Sequence, residues 1–269
     1  MAVLKPNNDD STHRLAVLID ADNAQAAVIE GLLAEVARYG EATVKRIYGD
    51  FTSQHSSQWK SVLNKFAIKP VQQFAYTRGK NATDSTMIID AMDLLYTQRF
   101  DGFCIVSSDS DFTGLAMRIR EEGLMVYGFG EEKTPAAFRN ACHKFIRTEN
   151  LRNETNDEPQ TKIATEKINL DRSETILPTL ETAKPTNDKK RFPIKLARIA
   201  VDEASGDDGW AQLGGFGSYL SRVQPDFDPR DYGHKKLSDL IKAQKDLFEI
   251  EDRSQPNSTK TNLYLRIKK

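Results

Sequence analysis

The run Arg14-Leu15-Ala16-Val17-Leu18-Ile19-Asp20 constrains the fold more than any other stretch of this chain. Successive side chains of a strand point to opposite faces. Five consecutive apolar residues therefore need cover on both faces, which the interior of a parallel sheet provides. Similar segments recur at 43–48, 69–74, 103–106 and 124–129. Helical spacing separates them at 24–39, 56–66, 85–96 and 112–122, with Gly40 and Gly123 as stop signals. Strands alternating with helices of this length imply right-handed crossovers and a doubly wound α/β sheet.

The apolar run before Asp20 is also too short for a secretory or membrane segment. Two cysteines, Cys104 and Cys142, lack metal-type spacing. Free thiols are therefore expected, with Cys104 in the core, and the expected compartment is the cytoplasm. The net charge of -1 gives no global argument for a polyanionic partner, so any such argument must rest on local patches.

Three segments follow from composition. Residues 1–149 hold the α/β pattern. Residues 150–191 are rich in Thr, Asn, Glu, Lys and Pro and read as a disordered linker. Residues 192–269 regain order, with helical spacing at 194–204, 217–223 and 234–244. Alternating segments around Phe248 and Ile250, then Leu263, Leu265 and Ile267, complete a small winged-helix-like α+β module. The linker's length predicts two tethered bodies rather than packed ones.

Acids gather at one end of the first domain. Asp20 ends the first strand and is followed by Asp22 and Asn23. Asp109 and Asp111 follow the fourth strand in Val106-Ser107-Ser108-Asp109-Ser110-Asp111-Phe112, and Asp84 opens the helix after the third. Open α/β sheets bind ligands beyond the carboxyl ends of their strands, where strand order reverses, and strands one and four are expected to meet there. Asp84 shares a helix face with Ile88, Ala91 and Leu95, which aims it at the sheet. Carboxylates crowded in one cleft must take up protons or share a cation. An all-oxygen set suits Mg2+ or Mn2+. Each acid also has a plainer reading: Asp84 and Asp111 as helix caps, Asp109 as a turn residue, and Asp22 with Asn23 as a cap of the first helix. The concentration of all of them at one end favours the metal reading, with Asp20, Asp84, Asp109 and Asp111 as catalytic metal ligands. Asn23, Ser107 and Asp90 are the expected supporting residues.

Four segments together resemble the NYN domain, a branch of the PIN-like nuclease fold: Leu18-Ile19-Asp20-Ala21-Asp22-Asn23, Lys80-Asn81-Ala82-Thr83-Asp84, the Ser107 to Phe112 motif, and Gly128-Phe129-Gly130. The resemblance covers about residues 12–148. It implies metal-dependent cleavage of RNA and matches Asp20, Asp84, Asp109 and Asp111, with Asn23 beside them. Asp22 falls where the family pattern varies. Gly215-Phe216-Gly217-Ser218-Tyr219-Leu220 and the stretch from Asp226 to Ile241 resemble the LOTUS, or OST-type helix-turn-helix, domain, which implies RNA binding. Exposed candidates there are Tyr232, Lys235 and Lys236. Arg78 and Lys80, with Tyr76, are candidates beside the acidic cleft.

The expected function is thus a metal-dependent endoribonuclease acting on single-stranded RNA and targeted by its C-terminal module. An RNA-binding adaptor with a degenerate nuclease domain is the alternative, and protein docking through the module stays open. A magnesium-dependent phosphatase of the haloacid-dehalogenase type also opens on a strand and an Asp-x-Asp pair, but Ala24 stands where that pattern calls for Thr or Val.

Overall fold

The computed structural model describes residues 12–52, 57–74, 82–151, 191–206, 208–253 and 262–268. His55, Tyr76, Arg78, Lys80 and most of the expected linker lie outside the described residues.

A six-stranded parallel sheet forms the first domain. Its strands are β1 (Arg14–Asp20), β2 (Glu41–Gly49), β3 (Lys69–Gln72), β4 (Gly102–Val106), β5 (Met125–Gly130) and β6 (Lys144–Arg147), in the order β3-β2-β1-β4-β5-β6. The chain runs outward from β1 in one direction and, after β4, in the other, so strand order reverses between β1 and β4 as expected. The helices are α1 (Ile29–Val36), α2 (Ser57–Phe66), α3 (Ala82–Tyr96), α4 (Thr113–Glu121) and α5 (Ala136–Ala141). Short 3-10 turns precede α1 and α4. Gly123 follows α4 with φ of 78°, a backbone position that glycine takes without a Cβ clash.

Alternation along β1 divides the core. Ala16 and Leu18 pack on one face with Met87, Ala91 and Leu95 of α3 and Leu115 and Ile119 of α4. Leu15, Val17 and Ile19 pack on the other with Ile29, Leu32 and Val36 of α1 and Trp59 of α2. All five apolar residues of β1 are fully buried, each contributing about 1.5–3 kcal/mol if large, which is why the run is uninterrupted. Cys104 and Cys142 are buried and free.

The second domain contains α6 (Ile194–Ala204), β7 (Ala211–Gln212), α7 (Leu213–Val223), α8 (Leu237–Ala243), β8 (Phe248–Asp252) and β9 (Leu263–Ile267). β8 and β9 form an antiparallel pair, and β7 extends it. Phe216, Leu220, Leu240, Ile241, Phe248 and Leu265 fill its core. The expected exposure of Tyr232 is corrected here. Its ring is half-buried, 6.0 Å from Phe192 and 5.6 Å from Phe227, so it packs the module and does not present a free stacking face.

The two domains pack against each other, in contrast to the tether expected from the linker. Arg147, at the end of β6, pairs with Asp231 and with Asp226 (2.7 Å). Arg139 also reaches Asp226 (3.0 Å), and Arg230 bridges Asp228 (2.6 Å) and Glu35 of α1 (3.1 Å). The Phe145 amide donates to the Pro225 carbonyl (3.0 Å). Side chains of Arg147, Asp231, Glu35 and Asp228 are each only 6–7% exposed. Charges taken this far out of water need partners, and here each partner comes from the other domain or is shared with it.

Candidate metal centre

β1 delivers Asp20 to the carboxyl end of the sheet, directly beside the segment that leaves β4. Ile19, the residue before it, pairs with Val106, so Asp20 comes level with Ser107. The Ser107 hydroxyl donates to Asp20 Oδ2 (2.8 Å), the Asn23 amide donates to the same oxygen (2.8 Å), and the Asp22 backbone N–H donates to Oδ1 (3.0 Å). The last bond is a local side-chain turn of the kind Asp favours. Burial pushes the Asp20 carboxyl above the ordinary value, while the bonds from Ser107, Asn23 and Asp22 pull it back.

The segment after β4 sets the next two acids. Asp109, extended at φ −86° and ψ 138°, caps the 3-10 turn before α4 and accepts from the Asp111 N–H (2.9 Å). Ser107 Oγ accepts from the Asp109 N–H (3.1 Å), tying this turn to Asp20. Ser108 Oγ accepts from the Glu131 N–H (2.9 Å), tying it to the end of β5. Gly130 stands at that end because a Cβ there would lie 2.5 Å from the Ser107 carbonyl oxygen. Gly130 thus serves close approach to the acid-bearing turn, while Gly128 leaves room for Cys142 and Phe145.

Asp84 enters from the first turn of α3. One carboxylate oxygen from each of Asp84, Asp109 and Asp111 lies within 4.8 Å of the others. Oxygen ligands sit about 2.0–2.6 Å from Mg2+ or Ca2+, so two on opposite sides of one ion are about 4–5 Å apart. The trio therefore fits a single hard cation. The Asp84 carboxyl is pushed up to about 6, first by burial and then by the charges of Asp20, Asp109, Asp111 and Asp22. Crowded negative charge of this kind is the electrostatic mark of such a site.

Among the four expected ligands, the structure thus brings three together and sets Asp20 beside them. Asp20 is fully buried and held by Ser107 and Asn23, while Asp111 is exposed. Asp109, in the plainer reading a turn residue, occupies the cap position that reading gave to Asp111: its carboxylate accepts from the Asp111 N–H. Asp90 faces β2, not the acids. It pairs with Arg46 and accepts from the Tyr48 hydroxyl, and Tyr48 is the register neighbour of Asp20 on β2. Asp90 is thus tied to the side chains of β2 rather than to the acid cluster. Sequence reasoning missed Glu131, whose backbone closes on Ser108, and Tyr48. The aromatic tip at the end of β2, level with Asp20, was the available signal for the second.

A six-stranded parallel sheet flanked by helices, with acids at its switch point, is a PIN-like α/β fold, and the helices and small sheet that follow form a winged-helix-like domain. The NYN domain model matches residues 14–149, just over half of the 269 residues, and the chain belongs to that family. The OST-HTH/LOTUS domain matches residues 185–259.

Three solved structures are similar. An uncharacterized protein of Nitrosomonas europaea, solved by NMR, is 48% identical, over 36% of this chain and 91% of that one, with a TM-score of 0.28. A protein of unknown function from Vibrio parahaemolyticus is 17% identical, over 52% and 95%, with a TM-score of 0.45. A Chromobacterium violaceum protein is 31% identical, over 30% and 84%, with a TM-score of 0.24. No curated protein matches the chain. No helix among the described residues is long and apolar enough to cross a membrane.

Proposed function

We propose that the chain is an endoribonuclease that hydrolyses internal phosphodiesters of single-stranded RNA with Mg2+ or Mn2+. The observation that carries this reading is the trio of Asp84, Asp109 and Asp111, with oxygens within 4.8 Å of one another in an NYN domain. Those three residues would hold the ion. When bound, the ion supplies charge neutralisation at the phosphoryl oxygens and a more acidic attacking water. Asp20 adds a fourth negative charge beside the site, and its free lone pairs can orient water. Ser107 and Asn23 fix the Asp20 carboxylate in place and favour its ionised form. Ser107 also fixes Asp109 through its N–H.

The LOTUS match supports RNA as the polymer that is bound, with protein docking through the module as the competing role. Two buried free thiols suit a reducing compartment such as the cytoplasm.

A circular single-stranded RNA, which has no ends, tests the reading. Conversion to linear and then shorter products with Mg2+ or Mn2+, abolished by chelator, is the expected result. Degradation of linear RNA alone would make the enzyme an exonuclease. No cleavage of either, across several sequences and both metals, would make the chain an RNA-binding adaptor.

A further inference from the structure

The packing of the two domains leaves a cleft of about 1070 Å³ along their seam. Small-molecule sites are typically about 300–1,000 Å³ and mostly apolar. This one is at the upper limit in size and lined by charge. Six cations face it: Arg38 and Lys144 from the first domain, and Arg222, Arg230, Lys235 and Lys236 from the second. Only two acids line it, Glu35 and Asp228, and both are already engaged by Arg230, with Arg38 also on Glu35 (3.2 Å). The cleft thus holds a surplus of four positive charges in a chain whose net charge is -1. Arg222, Lys235 and Lys236 are exposed and form no ion pair with any described residue.

One wall also contains two aromatic residues, Tyr39, which is half-buried, and Tyr127, which is buried. Tyr39 and Tyr127 stack with ring centroids 4.5 Å apart, and Lys144 Nζ lies 5.9 Å from the Tyr39 centroid. These rings face each other, so the ligand chemistry of the cleft is set by its exposed cations, which track the phosphates of a nucleic-acid strand.

Its position matters as much as its charge. Met125, at the start of β5, and Lys144, at the start of β6, line the cleft, whereas Gly130 at the far end of β5 abuts the acid-bearing turn. At about 3.3 Å per residue, the five steps from Met125 to Gly130 separate the two places by about 17 Å. The geometry points to the interdomain cleft as a second phosphodiester-binding site, built jointly by both domains, that anchors single-stranded RNA at the opposite end of β5 from the acid-bearing turn. This rests on the ribonuclease reading for the identity of the strand. Its test does not depend on cleavage.

The test is fluorescence anisotropy of labelled single-stranded RNA on the full chain, in chelator, at 50 and 200 mM salt. Arg38→Ala with Arg222→Ala removes two exposed cleft cations, and Lys235→Ala with Lys236→Ala removes two more. Lys60→Ala with Lys245→Ala removes the same charge from exposed positions outside the cleft. Each cleft pair should weaken binding about tenfold and flatten the salt slope by about 1.4, at about 0.7 per phosphate contact. The outside pair should do neither. The lysine pairs should keep the parental melting temperature, whereas the Arg38 pair, which also takes a bond from Glu35, is read at a temperature where it stays folded. The inference falls if both cleft pairs bind like the parent, or if the outside pair weakens binding as much. It also falls if a polyglutamate peptide displaces RNA at equal charge concentration, which would make the cleft a protein-docking site. Tight, cleft-dependent binding with no cleavage under metal would uphold the anchor and defeat the ribonuclease reading. Cleavage with cleft-independent binding would do the reverse.

Discussion

Neutralising Asp84 should make the metal-free protein more stable, and only at neutral pH. The Asp84 carboxyl rises from 3.8 to about 6 because it is half-buried and faces Asp20, Asp109 and Asp111. That difference corresponds to about 3 kcal/mol against the charged form at 1.36 kcal/mol per tenfold. Solvent screens a half-buried group, so about 1–2 kcal/mol is the working magnitude. The folded state holds this proton more tightly than the unfolded state does. Stability from this group is therefore full below about pH 4 and is lost as pH rises towards about 6. Asp84→Asn removes the effect. Without metal at pH 7.5, it should melt about 2–8 °C above the parent, at about 2–4 °C per kcal/mol for a chain of this size. The gap should close towards pH 4. Added Mn2+ should reverse the order at pH 7.5, because the parent gains about 2.7 kcal/mol at a hundredfold excess over its Kd and the variant gains less. The assay is differential scanning fluorimetry across pH, with and without Mn2+. An Asp84→Asn protein no more stable than the parent at pH 7.5, or a gap that persists at pH 4, would refute the crowding argument.

Two further outcomes follow from named contacts. Arg147→Ala leaves Asp226 and Asp231 without their shared cation and should cost about 3–5 kcal/mol in urea unfolding; a loss under 1 kcal/mol would mean that the seam is not held as described. Ser107→Ala removes a bond that favours the ionised form of Asp20, so the acidic limb of the kcat/KM profile should move to higher pH, with activity recovering at alkaline pH; an unmoved limb would separate Ser107 from the site's chemistry.

The sheet and its acids were largely legible in the sequence because both rest on local pattern. β1 and β4 are buried on both faces, and that shows as unbroken apolar runs. Parallel strands place their carboxyl ends together, so residues following β1 and β4 converge whatever the loops do. β6 was not legible. It has only four residues, charged at both ends, and its Arg147 is buried by a domain 79 residues further along the chain. The same reason hid the seam. Glu35 sits on α1 as a buried acid whose partner, Arg230, is 195 residues away, and composition carries no trace of such a pairing. Tyr232 looked exposed because its cover, Phe192 and Phe227, is assembled only in three dimensions. The separation of Asp20 from the other three acids likewise depends on Ser107 and Asn23, which spacing alone does not orient.

The central claim is that Asp84, Asp109 and Asp111 hold a divalent ion that is required for RNA cleavage. Initial rates on single-stranded RNA, titrated with Mn2+ for the parent and for Asp109→Asn, test it most directly. Saturable activation of the parent, no turnover in chelator, and a loss on the order of 10² or more in the variant at saturating Mn2+ are expected. An Asp109→Asn protein that cuts at the parental rate, or a parent that cuts equally well in chelator, would contradict it.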